Sequence, residues 1–398
     1  MLVQKNRVVL MAVTILLTTV LHAEQASRKT DHPEWITVAE GKAPSGTTLH
    51  IQTDGGKVWI EPGSVAVTTY AVRRGRSPYK RETSQEARLY NVKTYLESGK
   101  SWLVATRRSG VSQRIPTELV VTVPHTVKSL ELDTRGGQVE IGDVDCRVII
   151  QSGGGPIELG DIGGPVSVTN AGQDIAVGSV LGDGRFYTTG GRISVREVKG
   201  NVDAWSGGGD IQVDSGLRNA LLRADAGDVR VNLIGGELEV RCGGGNLILG
   251  DIGGRADLRT NAGNLRVHSA KGFVRAETAG GSIELFAVPG AYAETRAGSI
   301  LASFVPSNGP FQESFLATSV GDISIYLPQG LAVTIEATID HGTVHRISSN
   351  IPELKIETSG DDWQKAISAE GKLNGGGPVL KIHATDGNIS IQRTVTPR

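Results

Sequence analysis

From residue 137 onward, apolar and polar residues alternate in short bursts, and a glycine opens each burst. The unit Gly-x-Ile-x-Val, with Leu or Val standing in for Ile, begins at Gly137, Gly155, Gly191, Gly209, Gly227, Gly245, Gly263 and Gly281. From Gly191 to Gly281 successive units start 18 residues apart; the unit at Gly172 carries a one-residue slip, and Gly298 closes a unit of 17. Each unit has two similar halves, the second opened by Gly164, Gly182, Gly200, Gly236, Gly254, Gly272 or Gly290. A period of two marks strands with one face inward and one outward.

Stacked at this period, the units form columns of like residues. One runs Val139, Ile157, Ile193, Ile211, Val229, Leu247, Leu265, Ile283; its neighbour runs Ile141, Leu159, Val195, Val213, Val231, Leu249, Val267, Leu285. A third holds Val148, Val166, Val202, Ala220, Leu238, Ala256 and Val274. Before each turn lies a small polar column, read as Thr134, Ser152, Thr169, Thr188, Ser206, Cys242, Thr260, Thr278 and Thr295. The pattern predicts an all-β fold: a single-stranded parallel β-helix, or β-solenoid, with about 18 residues per coil, right-handed and capped at both ends. One coil buries too few aliphatic side chains to offset the entropy of ordering itself, so stability has to arise from the stack.

The flanks extend the pattern with insertions. Residues 1–23 read as a signal peptide, 24–47 as an N-terminal lead, 48–136 as N-terminal coils and cap, 137–303 as the regular stack, and 304–398 as irregular C-terminal coils and cap. Residues 73–86 and 306–310 are predicted loops. The signal reading rests on Lys5 and Arg7, a mostly apolar run at 8–21, and small Ala23 at the cleavage edge. It implies an exported protein that is periplasmic, cell-surface or secreted, with no membrane span after cleavage.

Composition sharpens this picture. The chain has 53 glycines in 398 residues, well above the roughly 7% usual in globular proteins, as a fold rich in tight turns requires. With 41 Lys+Arg against 42 Asp+Glu there is no global field for nucleic acid, and no nucleic-acid partner is expected. Cys146 and Cys242 fall five coils apart, roughly 24 Å at about 4.8 Å per coil, so two free thiols are expected.

The search for chemistry returns little. A calcium β-roll also repeats at 18 residues, but the Asp it requires at a fixed turn position is missing. His341 and His345, placed on a strand, would share a face about 13 Å apart and read as solvated. The triplets at Gly153 and Gly207 read as turns, because no phosphate-loop lysine follows. Glu140 and Glu158 sit one coil apart on a flat face, without the cleft a glycosidase pair needs. No catalytic, cofactor or metal residue is assigned. One outward column remains, Tyr187, Trp205, Arg223, Arg241 and Arg259, spaced 18 apart. It reads either as an interaction stripe for sugars or anionic polymers or as a charge ladder paired with Asp203, Glu239 and Asp257.

Several motifs together resemble a known family. Val121-Thr-Val-Pro124 precedes Leu130-Glu-Leu-Asp-Thr-Arg-Gly-Gly-Gln-Val139, and the serial Gly-x-Ile-x-Val units follow. Near the end come Gly371-Lys-Leu-Asn-Gly-Gly-Gly-Pro378 and the run from Leu380 to Ile391. Over residues 48–393 this resembles the bacterial family named "putative adhesin", a domain of unknown function built from β-strand repeats. The resemblance implies a parallel β-helix in an exported or envelope protein and supplies no catalytic residues. The expected function is therefore a non-catalytic, adhesin-like surface protein whose partner is an envelope protein or a polysaccharide. The rival expectations are a carbohydrate-binding or carbohydrate-active β-helix protein and a structural or envelope-stress scaffold that binds another protein.

Export makes a direct prediction. Expressed with its own leader in a bacterial host, the chain should be recovered outside the cytoplasm with Glu24 as its first residue by N-terminal sequencing. A chain that retains Met1 in the membrane fraction would mean an uncleaved anchor.

Overall fold

The computed structural model describes residues 35–75, 90–108, 116–306, 311–361 and 365–394. The signal segment, part of the lead and parts of both predicted loops lie outside the described residues. The described residues form an all-β solenoid of 35 strands in two sheets that face each other across one apolar core. The Gly-x-Ile-x-Val strands make the front sheet and the second half-units make the back sheet, parallel from coil to coil.

Register explains the sequence period. In the front sheet Val58, Val139, Ile157, Ile175, Ile193, Ile211, Val229, Leu247, Leu265, Ile283, Ile300, Ile323 and Ile389 pair in unbroken succession. All are buried. Each such side chain is worth roughly 1.5–3 kcal/mol of burial, and here each packs against its own kind above and below. The slip at Gly172 is absorbed before the strand begins, since Ile175 stays in line with Ile157 and Ile193. Size compensates locally: Gly184 takes a Val position because the buried ring of Phe186 fills the space its side chain would occupy, and Ala204 lies beside Phe186 one coil on.

The turn columns have specific work. The hydroxyls donate to a turn carbonyl: Ser206 to Gly191 O at 2.8 Å, Thr260 to Gly245 O at 2.9 Å, Thr278 to Gly263 O at 3.0 Å. Cys242 does the same toward Gly227 O at 3.3 Å, and its sulfur accepts the Gly245 N–H at 3.0 Å. One assignment is corrected. Thr169 is exposed; the inward slot between Ser152 and Thr188 belongs to Asn170, whose Nδ2 donates to Gly155 O and Gln173 O. Asn170 restores the 18-residue spacing that Thr169 would break. A second ladder runs through the x of the Gly-x-Ile units. The Asp228 carboxylate accepts the N–H of Asn246, Asn246 Oδ1 that of Asn264, and Asn264 Oδ1 that of Ser282, at 2.8, 3.0 and 2.9 Å.

The glycines that open the units are needed for close approach. A Cβ on Gly263 would overlap Gly245 O of the coil before, and one on Gly281 would overlap Gly263 O. Gly244, by contrast, faces open space.

At both ends the stacking order departs from chain order. Thr48–Thr53 lies between Lys100–Arg107 and Ser129–Thr134, parallel to both, so the second coil stacks outside the first and the third inside it. At the other end Val379–Asp386 is threaded between Ser314–Val320 and Val333–Ile339. The outermost strands are antiparallel except in the front sheet at the second end, where Ile347–Ser349 pairs parallel to Ile389–Arg393. Thr69–Gly75, Trp35–Lys42 and Tyr90–Glu97 cover the first end, and Ala366–Leu373 and Lys355–Ser359 cover the back sheet at the second. An antiparallel strand breaks the pattern that a further parallel coil would extend. The lead read at 24–47 thus includes a strand, Trp35–Lys42, that pairs into the front sheet.

Two substitutions test the turn account. Gly263→Ala should cost about 1–3 kcal/mol or more in urea unfolding, whereas Gly244→Ala should be nearly neutral. Cys242→Ser should fold with unchanged stability, while Cys242→Val, which strands the Gly245 N–H and the Gly227 carbonyl, should lose about 1–3 kcal/mol.

Candidate functional site

Parallel stacking puts every outward residue of a coil directly over its counterpart in the next. Tyr187, Trp205, Arg223, Arg241 and Arg259 accordingly form one column on the outer face of the back sheet. Most of its members are engaged. Tyr187 Oη donates to Asp203 at 2.6 Å, and burial together with that bond pushes the phenol above its ordinary range. Trp205 Nε1 lies 3.4 Å from Asp225 Oδ1. Arg241 pairs with Glu239 at 2.8 Å, and Arg259 with Asp257 and Glu277 at 3.2 and 3.5 Å. Arg223 is exposed, and no ion pair holds it among the described residues. Three consecutive arginines therefore do not make an open cationic track.

The same column continues toward the first end of the solenoid. Below Tyr187 come Thr169, Gln151, Asp133 and Gln52, one per coil in register. Here the surface sinks into an open groove of about 680 Å³, walled by Gln52, Asp54, Thr106, Asp133, Arg135 and Gln151 among others. Asp54 Oδ2 accepts the Arg107 N–H at 2.7 Å, while its buried Oδ1 has no partner. Asp133 lies 3.2 Å from His50 Nε2. The other ring nitrogen of His50 meets Glu131 at 3.1 Å, and the ring packs on Trp102 with centroids 4.0 Å apart; Tyr95 stacks beyond it at 5.7 Å. Burial opposes ionisation of Glu131, but hydrogen bonds from His50 and Lys100 outweigh it and hold its carboxyl below the usual range. A second concavity of about 570 Å³ opens on the same face around Leu221, between Asp203, Glu239 and Asp257.

The period alone could have reached part of the groove. Asp133, Gln151 and Thr169 precede Tyr187 at steps of 18. Gln52 and Asp54 carry no such signal, because the first coil joins the column out of chain order.

The other candidates are placed as follows. His341 and His345 flank a turn at 342–344 rather than lying on the strand assumed for them, and His345 Nε2 bonds Asp386 at 2.5 Å. Among the described residues no group of three or more His, Cys, Asp or Glu side chains converges as metal ligands would. Glu140 and Glu158 are neighbours in the front sheet, and Glu140 is taken up by Lys57 at 2.8 Å and Gln138 at 2.6 Å. Cys146 and Cys242 are free and buried.

The fold and this face define a parallel β-solenoid with a groove along one outer sheet. No family model matches the chain, and no curated protein matches it. Among solved structures, a "putative cell adhesion protein" from Clostridium sporogenes aligns with 91% of this chain and 100% of its own, at 11% identity and a TM-score of 0.18. A "putative adhesin" from Bacteroides fragilis aligns with 91% of this chain and 98% of its own, at 10% identity and a TM-score of 0.21. Likenesses this slight carry no argument about what this chain does.

Burial and the neighbouring Asp145 carboxylate push the Cys146 thiol up to about 11. Only the thiolate is nucleophilic, so alkylation of Cys146 in a Cys242→Ser background should be slow at pH 8 and should rise steeply toward pH 11. Mass spectrometry of the native and urea-unfolded chain checks this; equal rates in both states at pH 8 would contradict it.

Proposed function

We propose that this chain is a non-catalytic, exported, adhesin-like solenoid that works by presenting the outer face of its back sheet to a partner in the cell envelope or outside it. The observation that carries the reading is the groove of about 680 Å³, which runs in register into the Tyr187–Trp205 column. A rigid stack of paired strands fixes those side chains at the coil spacing before any ligand arrives. Preorganisation of this kind is what a repetitive surface contributes to binding, because little side-chain ordering remains to be done. The leader segment read from the sequence would place this face where envelope polymers and surface proteins are encountered.

The test is retention of the purified mature chain on whole envelope fractions and on isolated peptidoglycan, beside the Trp205→Ala/Arg241→Ala double variant. Specific retention that falls roughly tenfold or more in the variant is the expected result, the size of losing two well-placed contacts. Retention unchanged in the variant would move the contact surface elsewhere. Turnover of a bound polymer would replace the binding reading with an enzymatic one.

A further inference from the structure

We propose that the ligand of this face is an uncharged oligosaccharide, seated across the strands in the groove of Gln52, Asp133 and Gln151 and continuing onto the rings of Tyr187 and Trp205. The inference rests on the reading that the back sheet's outer face is the contact surface, and it names the chemistry that surface takes.

Spacing is the first argument. Gln52, Asp133, Gln151, Thr169, Tyr187 and Trp205 stand on six adjacent strands in register. Neighbouring strands lie about 4.8 Å apart, close to the length of one pyranose unit, so a chain of sugars across the strands meets a like position at every ring.

Functional groups are the second. A saccharide hydroxyl donates and accepts at once, and the groove supplies both partners: carboxylates on Asp54 and Asp133, amides on Gln52 and Gln151, and a hydroxyl on Thr106. The buried Oδ1 of Asp54 is an acceptor without a donor, while its other oxygen is fixed by the Arg107 N–H. Asp133 is steadied by His50 but keeps 44% of its side chain exposed.

Charge and polarity exclude the alternatives. A polyanion would meet Asp54 and Asp133 with Arg135 the one cation among the described lining residues to offset them, and farther along it would find Arg223 alone unpaired, Arg241 and Arg259 being engaged by Glu239, Asp257 and Glu277. A protein partner calls for an apolar anchor pocket, and among the described residues no Leu, Ile, Val, Met, Phe or Trp lines this groove. Beyond Thr169 the column turns aromatic, and the half-buried rings of Tyr187 and Trp205 offer apolar faces with polar tips. Sugar rings present the matching combination of C–H faces and hydroxyl edges.

The experiment is calorimetric titration of the full mature chain with soluble β-1,4-linked hexasaccharides of glucose, mannose and N-acetylglucosamine, and with a heparin hexasaccharide, at about 0.15 M and about 1 M salt. At least one neutral hexasaccharide should bind with an affinity unchanged within about twofold by salt, because no ion pair is made. Binding should weaken by roughly tenfold or more in Gln151→Ala and in Asp133→Asn, the latter able to keep the bond to His50. Gln151 is exposed and makes no side-chain hydrogen bond in the structure, so its variant should fold normally. Binding of heparin that collapses at high salt would overturn the proposal, as would neutral binding that survives both variants. If no neutral saccharide binds while retention on envelope fractions still depends on Trp205 and Arg241, the ligand class is wrong and the contact face stands. If envelope retention is absent as well, the contact-face reading fails with it.

Discussion

The backbone ladder between successive coils is the constraint from which the rest follows. Parallel strands about 4.8 Å apart force each residue to lie over its counterpart one coil away, whatever its side chain. A position can then hold only what tolerates a copy of itself above and below. Thirteen aliphatic residues from Val58 to Ile389 meet that condition in one front-sheet column. The unit-opening glycines meet it because a Cβ there would overlap the carbonyl of the coil before. The polar slot meets it by carrying a hydrogen bond from most coils to a turn, Ala224 being the apolar exception, and sulfur at Cys242 and an amide at Asn170 both fit because they can donate.

A ladder that propagates so regularly leaves two open edges, and the chain closes them by changing order and direction. The first coil slips between the second and third, and the last between its two predecessors. Polar contacts of His50, His345 and His383 with carboxylates fall at these insertions: His50 reaches Glu131 and Asp133, His345 reaches Asp386, and His383 reaches Asp340. Each joins segments that chain order alone would not have set side by side. Antiparallel strands lie outermost in both sheets at the first end and in the back sheet at the second, and there they end the parallel pattern.

The same ladder gives the surface its character. Outward residues are ordered into columns as strictly as inward ones, so a ligand that repeats at the coil spacing finds repeated contacts. Where charges stack, most are neutralised from the adjoining column, as Arg241 is by Glu239 and Arg259 by Asp257, while Arg223 is held by no ion pair among the described residues. Where small polar residues stack beside an insertion, the surface opens into the groove of Asp54 and Asp133. Packing rules made the columns, and the irregular end made the cavity.

Most of the architecture was legible because period two and period 18 are local properties of the chain. They specify which residues face inward, where turns need glycine, that Cys146 and Cys242 remain apart, and that Tyr187 aligns with Trp205 and the three arginines. Thr169 was misassigned because alternation alone cannot say which of two adjacent polar residues turns inward; the pairing of Ser152 with Asn170 decides it. His341 and His345 were placed on a strand because spacing does not reveal a turn that holds one of them against Asp386. The groove lay further out of reach. Gln52 and Asp133 are 81 residues apart, off the period, and they meet because the first coil slips between the second and the third and so pairs with the third as well. That choice is made by pairing between distant strands, which no local pattern encodes. By itself the sequence determined the coil and its inward face; tertiary structure alone decided the order of the coils at the ends, and with it the cavity.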